Sequence, residues 1–393
     1  MDFTGLKFLV VGAGLWGSVI AERVASVLGE DVLVIEKNPC SGGMCRSFVD
    51  SETGVECHAH GTHIFHTKLP HVWEYVTRFS AFTHYRHKVL TTHAGRVYPM
   101  PIGLATINAF YGTNLKPSEV AEFIASEAGS AGEPSKLGEP SELGEPRNLE
   151  EKAISLVGRR LYEAFIKGYT AKQWGVDPRE LPASIITRLP VRANYDTDYY
   201  SDPWDMQGLP ASGYGGLFDR LLSHPRIHTA FGTDFMDVRH LVPPDCEVFY
   251  GGPVDRLFGF SLGRLDWRSL SFEWRVEPCD DWQGTSVMNY ADADVPYTRI
   301  HEYKHLHPGP DRPHAPGKTV ICVEYPKASG ASDDGYYPTH RGAALHAEYM
   351  TKAEALPRLH VGGRLGSYRY YDMDATVAEA LKVFEKVKLA RQS

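Results

Sequence analysis

The chain has 393 residues, of which 42% are hydrophobic, and it carries a formal net charge of -8 at pH 7. This length predicts two or three lobes, while the dispersed charges exclude a basic face for nucleic acid and the short apolar runs exclude a membrane span. Because a strand pattern begins almost at the first residue, we expect no signal peptide and interpret the chain as a cytoplasmic enzyme.

The N-terminal segment has the pattern of a dinucleotide-binding unit. Apolar residues 7–11 predict a strand, the turn 12–17 opens a predicted helix that runs to about residue 28, and residues 31–35 predict a second strand that ends at Glu36. The three glycines of the turn make it tight, admit a pyrophosphate and let helix and strand pack; they are Gly12, Gly14 and Gly17. The acid can bind the ribose hydroxyls, and it argues against a 2'-phosphate.

Two glycines and two cysteines follow this unit. Gly42 and Gly43 resemble the extension of flavoproteins in which backbone approaches the cofactor, and this favours FAD over NAD. Cys40 and Cys45 repeat the C-x4-C spacing of flavin disulfide reductases, but there the glycine pair precedes the first cysteine, whereas here it lies between the two. We therefore expect six reduced thiols, at Cys40, Cys45, Cys57, Cys246, Cys279 and Cys322.

A histidine cluster comes next, at His58, His60, His63 and His66. The spacing could bind a metal, but no cysteine or carboxylate cluster accompanies it at ligand spacing. We expect no metal and polar supporting roles for the rings. The run 61–67, GTHIFHT, lies close after the flavin segment, which suggests backbone or imidazole near the flavin ring.

The middle of the chain predicts a small helical lobe. Residues 116–128 and 149–173 have helical periodicity, and between them residues 132–149 hold a six-residue repeat rich in Gly, Pro and Glu. The repeat cannot form a continuous helix and is too short for a solenoid. We interpret it as a solvated loop that joins two helices.

Aromatic and basic residues are concentrated in several short runs beyond this point, at 165–174, 188–192, 194–200, around Arg299 and at 336–337. Flat aromatic faces and guanidinium groups suit a nucleoside diphosphate, because its base needs stacking partners and its phosphates need positive charge.

The C-terminal segment 361–374 combines a glycine turn, two arginines, three tyrosines and two acids. Its glycines permit close approach of backbone to a ligand, and its arginines suit phosphate. A predicted helix from about 375 to 389 would direct its N-terminus toward a bound anion. We predict that this segment completes a split FAD site, as in the amine oxidase and glutathione reductase type of fold.

Taken together, the motifs resemble those of bacterial UDP-galactopyranose mutases. The runs FIKGYTAKQW, RLPVR, YTRIHEYK, YYP and GRLGSYRYYDMD follow one another along nearly the whole chain. They match the family patterns FKGYT-x-KQW, RLPVR, YTRI-x-E-x-K, YYP and GRLG-x-YRY-x-DMD.

The resemblance implies an α/β fold, in which a discontinuous Rossmann-like FAD-binding domain carries an inserted helical-bundle lobe and a twisted antiparallel β-sheet lobe. The FAD-binding domain is expected at 1–80, 206–252 and 330–393. The helical lobe is expected at 100–186, with the repeat loop at 132–149, and the sheet lobe at 81–99, 187–205 and 253–329.

The resemblance also implies an isomerase that interconverts UDP-galactopyranose and UDP-galactofuranose by covalent catalysis at N(5) of reduced FAD, with no net redox change. NAD(P)H or another reductant would activate the enzyme, and a homodimer or higher homo-oligomer is expected. The product would serve galactofuranose biosynthesis for cell-surface polysaccharide.

Site residues are carried over from the family motifs. The catalytic residues would be Arg188, Arg299, His63 and Asp372. Arg188 and Arg299 would stabilise the departing pyrophosphate, and Arg188 would lie on a mobile loop. The cofactor would be held by Gly12, Gly14, Trp16, Gly17, Glu36, Lys37, Gly43, Met44, His60, Thr62, His63, Ile64, Gly363, Arg364, Tyr370, Asp372 and Met373. The substrate would be held by Phe165, Ile166, Tyr169, Thr170, Gln173, Trp174, Arg188, Tyr199, Tyr200, Arg299, Tyr337 and Tyr370.

Four positions depart from the family pattern. Thr62 replaces the proline of GPHIFHT, Met44 the asparagine after the glycine pair, Ile166 the second phenylalanine of FFKGYT, and Tyr200 a phenylalanine near Tyr199. These departures bear on contacts to the flavin and the uracil.

Alternative interpretations remain for the chain and for single residues. A flavin amine oxidase or desaturase would need an apolar substrate tunnel in place of the arginines, and a non-catalytic UDP-sugar-binding protein would share the binding residues. Phe165 and Trp174 could belong to a core, and Asp372 could cap the last helix.

Overall fold

The computed structural model describes residues 3–128, 146–188, 191–203, 206–307, 314–330 and 335–392, with the backbone alone for 187 and 188. Of the predicted repeat loop at 132–149, residues 132–145 lie outside the described residues.

A parallel sheet forms the centre of the nucleotide-binding domain. Its order from edge to edge is β16 (Leu359–Val361), β10 (Glu247–Tyr250), β1 (Phe8–Val11), β2 (Val32–Glu36) and β9 (Ile227–Phe231). β1 and β2 are apolar up to their ends and buried throughout, as expected for strands covered on both faces. Because the strands come from three separated parts of the chain, the predicted discontinuous Rossmann-like fold is confirmed.

Helices cover this sheet and join the lobes. α1 (Leu15–Arg23) continues from residue 24 to 28 as a wider helical turn, and α13 (Met373–Gln392) packs against α1. The helices of the described residues are α1 (Leu15–Arg23), α2 (Pro70–Thr77), α3 (Leu104–Tyr111), α4 (Val120–Glu127), α5 (Leu149–Val157), α6 (Arg159–Leu161), α7 (Gly168–Trp174), α8 (Gly213–Leu221), α9 (Phe235–Val238), α10 (Val254–Leu257), α11 (Ala343–Glu354), α12 (Gly363–Gly366) and α13 (Met373–Gln392). None of these helices is long and apolar enough to cross a bilayer.

A second, mostly antiparallel sheet forms another lobe. Its order is β15 (Tyr337–Pro338), β11 (Trp267–Glu277), β14 (Thr319–Ala328), β13 (Arg299–Glu302), β12 (Val287–Tyr290), β6 (Val89–His93) and β7 (Arg96–Met100), with β12 and β6 parallel. β15 falls in the range expected for the FAD-binding domain, yet it pairs with β11 of this sheet. Two small ribbons complete the strands, β3 (Ser47–Val49) with β4 (Glu56–His58) and β5 (Phe65–His66) with β8 (Gln207–Gly208).

The apolar core of the helical lobe is formed by α3, α4, α5 and the segment that leads into α7, together with residues of β6, β7 and β12 from the second sheet. The single helix predicted for 149–173 is wrong, because α5 ends at Gly158, whose backbone has φ +80° and ψ 162°. A Cβ at this position would lie 2.7 Å from Cβ of Glu127. Glycine therefore lets α4 and the start of α6 approach each other closely.

Candidate active site

A cavity of about 970 Å³ lies between the two sheets. It begins at the carboxyl ends of β1 and β2, the edge at which open α/β sheets bind ligands. Every residue predicted to hold the cofactor lines this cavity, from Gly12 to Met373. Four of the predicted substrate residues line it as well, namely Tyr200, Arg299, Tyr337 and Tyr370.

The glycine turn after β1 forms one wall of the cavity. Gly12 has φ +101°, and its N–H donates to the Ile35 carbonyl at 2.8 Å, which ties the turn to β2. A Cβ at Gly17 would lie 2.0 Å from the Gly12 oxygen, so that position accepts no side chain without movement of the turn. Gly43 also lies close to this turn, since a Cβ there would be 3.1 Å from Cα of Gly14. Bare backbone is thus presented along this wall.

Glu36 closes the far end of this wall. The side chain is buried, and its carboxylate accepts the Ala13 N–H at 2.9 Å and both the backbone and the side-chain N–H of Asn38 at 2.8 Å. Three donors fix the carboxylate against the turn. It also lines the cavity, where its remaining lone pairs can accept hydroxyl groups.

The C-terminal segment packs onto the same wall from the other side. Gly362 lies so close to the Trp16 ring that a Cβ would be 2.4 Å from it, and Gly363 has φ +71°. Nη2 of Arg364 donates to the Tyr336 carbonyl at 2.5 Å, and its guanidinium lies 4.6 Å from the centre of the Tyr370 ring. These contacts bring the two ends of the chain together at one cavity; that this cavity is a split FAD site stays a prediction.

The histidine cluster does not act as one group, because its rings make separate contacts. His60 bonds the Tyr336 hydroxyl, His66 bonds Asp202 at 2.7 Å, and the His58 ring accepts the backbone N–H of His63 at 3.0 Å. Burial and the nearby charge of Arg364 lower the pKa of the His63 ring to about 3. His63 is therefore neutral near pH 7.

The cysteines next to the cavity are free thiols, in agreement with the prediction. Burial raises the pKa of Cys45 to about 12, so this thiol is not a thiolate near neutral pH.

Arg299 is the charged group at the opposite end of the cavity. It lies at the start of β13 with its guanidinium carbon 5.8 Å from the centre of the Tyr169 ring, and Nη1 lies 3.9 Å from Oε2 of Glu324. Its Nε is buried and has no hydrogen-bond acceptor among the described residues. Tyr337 stands nearby, with its ring 5.3 Å from that of Tyr370 and 6.0 Å from that of Trp174. An arginine paired with a carboxylate and several aromatic faces thus lie together at this end.

Several predicted substrate residues lie outside the described cavity lining: Phe165, Ile166, Tyr169, Thr170, Gln173, Trp174 and Tyr199. Phe165 is only 4% exposed and packs against His93, Tyr98 and Phe110, so it belongs to the core of the helical lobe, as does Ile166. Tyr169 and Trp174 border Arg299 and Tyr337 through the contacts given above.

The two remaining predicted catalytic residues differ in what can be said of them. The Arg188 backbone ends the short helical turn Ala183–Arg188, and its side chain is outside the described part of the chain. Asp372 is exposed and lines the cavity. At the start of α13, the Asp374 carboxylate accepts the backbone N–H of Ala375 at 2.7 Å. Asp372 contacts this helix through its backbone carbonyl, which accepts the N–H of Thr376 at 3.0 Å.

Sequence reasoning missed Glu324, which lines the cavity although it is only 3% exposed. Burial alone would raise its pKa, but the charge of Arg299 and a hydrogen bond from His301 hold the pKa at about 2. The signal in the sequence was a single acid within the buried apolar run of β14. Asp234 and Arg256, an ion pair at 2.5 Å beside the Glu36 end, were missed as well.

The sequence matches known families over most of its length. Residues 164–370 match the profile of the UDP-galactopyranose mutases, and residues 10–79 match that of an NAD(P)-binding Rossmann-like domain. A Klebsiella pneumoniae protein named "Probable UDP-galactopyranose mutase" is 40% identical, over 97% of this chain and 94% of its own length. An Escherichia coli dTDP-fucopyranose mutase is 35% identical, over 96% and 97%.

Solved structures share the fold at much lower identity. A crystal structure of reduced UDP-galactopyranose mutase matches with a TM-score of 0.71 at 14% identity, over 97% of this chain and 95% of that one. A fatty acid isomerase from P. acnes matches with a TM-score of 0.54 at 11% identity, over 97% and 98%. Such likeness defines the architecture alone, so the function depends on the site residues.

Proposed function

The chain belongs to the UDP-galactopyranose mutase family, and we propose that it interconverts UDP-galactopyranose and UDP-galactofuranose with FAD as its cofactor. One observation carries the proposal. A cradle for a dinucleotide and a cationic, aromatic end that includes Arg299 line the same cavity. A simple nucleotide-binding protein has no need to bring these two ends together.

The residues at the glycine end fit FAD. Backbone at Gly14, Gly43 and Gly363 lines one wall without side chains, which suits a pyrophosphate, and Glu36 suits the ribose hydroxyls. The cavity lies at the upper end of the sizes usual for ligand sites, about 300–1,000 Å³, and it has room for more than a nucleotide. A bound flavin, once reduced, would supply the nucleophile for the sugar.

The cationic end fits the UDP group. The Arg299 side chain lines the cavity and is 28% exposed, so the exposed part of its guanidinium can donate to a phosphate oxygen. The Tyr337 and Tyr370 hydroxyls can bond further oxygens, and the edge of the helical lobe at Tyr169 and Trp174 provides flat faces for uridine.

The chemistry left to the protein is mostly positioning and charge stabilisation. As the bond between sugar and pyrophosphate breaks, negative charge develops on the leaving group, and Arg299 stabilises it in a site with little water. Arg188, carried over from the family motif, would add a second charge. His63 is neutral and cannot act as a permanent cation, so its role is to orient groups by hydrogen bonds.

The test is one incubation, analysed by chromatography. Purified protein should be yellow, and after reduction by dithionite it should convert UDP-galactofuranose into the pyranose without stoichiometric loss of reductant. The oxidised protein under air is the matched control and should be inactive. A colourless protein, or equal activity in both states, would contradict the proposal.

A second nucleotide sugar sharpens the assignment, because one relative is a dTDP-fucopyranose mutase. The same incubation is repeated with dTDP-fucofuranose at equal concentration. We expect a higher kcat/KM for the UDP sugar, and the reverse order would assign the substrate to the other class.

A further inference from the structure

A buried chain of hydrogen bonds leads from the sheet lobe to the middle of the cavity wall. Oγ1 of Thr62 lies 2.8 Å from Nδ1 of His301, and Nε2 of His301 lies 3.2 Å from Oε2 of Glu324. Thr62 and Glu324 both line the cavity, whereas the His301 side chain is 1% exposed. Thr62 is among the residues expected to hold the cofactor, but the proposed function gives no role to His301.

Strand geometry explains why the acid and the imidazole meet. Arg299 and His301 are two residues apart on β13, so their side chains leave the same face of the sheet. Glu324 is the cross-strand partner of Arg299 on β14 and reaches both of them. The His301 ring is also stacked on that of Tyr303, with 13° between the planes, which fixes its orientation.

The charge of Glu324 sets the direction of the chain. A carboxylate only accepts hydrogen bonds, so Nε2 of His301 must carry a hydrogen and donate it. In the neutral form of the ring Nδ1 is then an acceptor and the Thr62 hydroxyl donates to it, whereas in the protonated form Nδ1 would donate to the Thr62 oxygen. The arrangement of the neutral form turns the hydrogen of Thr62 away from the cavity, and the oxygen lone pairs remain for a donor on the cavity side.

Two of the three hydrogen-bonded residues, Thr62 and His301, occupy positions that the family motifs do not account for. Thr62 stands in place of the proline of GPHIFHT, and His301 stands at the unspecified position of YTRI-x-E-x-K. A proline has no hydroxyl group for an imidazole to accept from. The Thr62–His301 contact is therefore a property of this chain and not a consequence of the family motif.

Thr62 lies at the junction of the two ends of the cavity. The charge of Arg364 at the cofactor end helps to lower the pKa of the neighbouring His63, and Glu324 lies beside Arg299 at the substrate end. If the proposed function holds, the reactive part of the flavin must reach this junction to meet the sugar. Reduction adds an N–H to the flavin ring at N(5), and an acceptor here would bond the reduced ring in preference to the oxidised one.

We propose that His301, held by Glu324, is a positioning residue that directs the Thr62 oxygen toward the flavin as a hydrogen-bond acceptor and so favours the reduced cofactor. The proposal rests on the proposed function for the location of the ring. It predicts an effect on the cofactor that can be measured without any nucleotide sugar.

The test is the midpoint potential of bound FAD in matched variants. Thr62→Val keeps the shape and removes the hydroxyl. We expect the reduced-to-oxidised ratio at fixed potential to fall about threefold to tenfold, which lowers the midpoint potential of a two-electron couple by about 15–30 mV. Thr62→Ser keeps the hydroxyl and should retain the wild-type potential. His301→Phe keeps the stack on Tyr303 and should shift the potential in the same direction as Thr62→Val.

A double variant distinguishes an effect of these hydrogen bonds from a general disturbance of the site. If His301 acts through Thr62, then Thr62→Val should lower the potential by less in the His301→Phe background than it does in the wild-type protein. Potentials within 5 mV of wild type in Thr62→Val, or full additivity, would overturn the proposal. So would a rise in the KM for the sugar with no shift in potential, since Thr62 would then face the substrate. An absence of bound flavin would overturn this proposal and the proposed function together, whereas an inactive protein with the expected shifts would overturn the proposed function alone.

Discussion

Replacing Gly17 by alanine tests whether the first glycine turn sets both the fold and the cofactor site. The new Cβ would lie 2.0 Å from the Gly12 oxygen and 2.9 Å from Cγ1 of Val10, whereas real Cβ contacts are almost never shorter than 3.0 Å. The turn must therefore move by about 1 Å or α1 must separate from β1, which costs about 3 kcal/mol on the scale of overpacked cores. With an unfolding entropy of about 2.1 cal/mol/K per residue, this lowers the melting temperature by about 4 °C if the chain melts as one unit.

The assay combines flavin content, measured by absorbance, with a thermal melt of the same sample. Since a shift of about 1 Å displaces the backbone that would face the pyrophosphate, FAD affinity should fall at least about tenfold. Gly215→Ala is the control, because Gly215 is exposed in α8 and no atom lies within 4 Å of a Cβ there. That variant should keep its flavin and gain about 0.5 kcal/mol, as a helical glycine is removed. Equal melting temperature and flavin content in wild type and Gly17→Ala would refute the reasoning.

Three further predictions concern charge. Arg299→Ala should lower kcat by about 100-fold or more and leave FAD bound, because it removes the cation proposed to face the pyrophosphate; loss of flavin, seen by absorbance, would move Arg299 to the cofactor end. Stability should fall as the pH drops below about 6.5, because burial and the charge of Arg299 lower the pKa of His87 to about 3, so that the unfolded chain takes up the proton first. At pH 5, His87 alone lowers the free energy of unfolding by about 2 kcal/mol, and His58 acts in the same direction. A free energy of unfolding that is the same at pH 7 and pH 5 in denaturant melts would contradict this prediction. Lys172→Met should cost about 2 kcal/mol in denaturant melts, because Nζ of Lys172 donates to the carbonyls of Tyr290, Asp292 and Tyr297 at 2.7, 2.8 and 3.0 Å, whereas exposed Lys167→Met should cost nothing measurable.

The nucleotide-binding half could be predicted from sequence because its signals are local. A strand, a glycine turn, a helix and a second strand follow one another within 36 residues, and Gly12 and Gly17 of the turn have backbone reasons for their identity. The last helix was expected at about 375–389 and is observed as Met373–Gln392. Local patterns of this kind do not depend on distant partners.

The prediction of the substrate half depended on the family motifs. These motifs do not distinguish residues that contact the ligand from residues that pack beneath the site. Phe165 belongs to a motif that was assigned to uridine, yet it packs against three aromatic neighbours, one on α3 and two on the sheet strands β6 and β7. A motif residue can be specified by the core that carries the site as strictly as by the ligand. The sequence pattern is the same in both cases, so only the tertiary contacts distinguish them.

Glu324 illustrates the opposite error, because its role depends on a pairing that no local pattern contains. Its position on β14 becomes meaningful only when β13 places Arg299 opposite it and His301 beside it. An ionised carboxylate as deeply buried as that of Glu324 would be costly without these partners, which hold its pKa low despite burial. With them, one buried charge fixes both the arginine proposed to meet the substrate and the imidazole proposed to act on the cofactor. The two ends of the cavity are thus coupled through a residue that belongs to neither of the motifs by which they were identified.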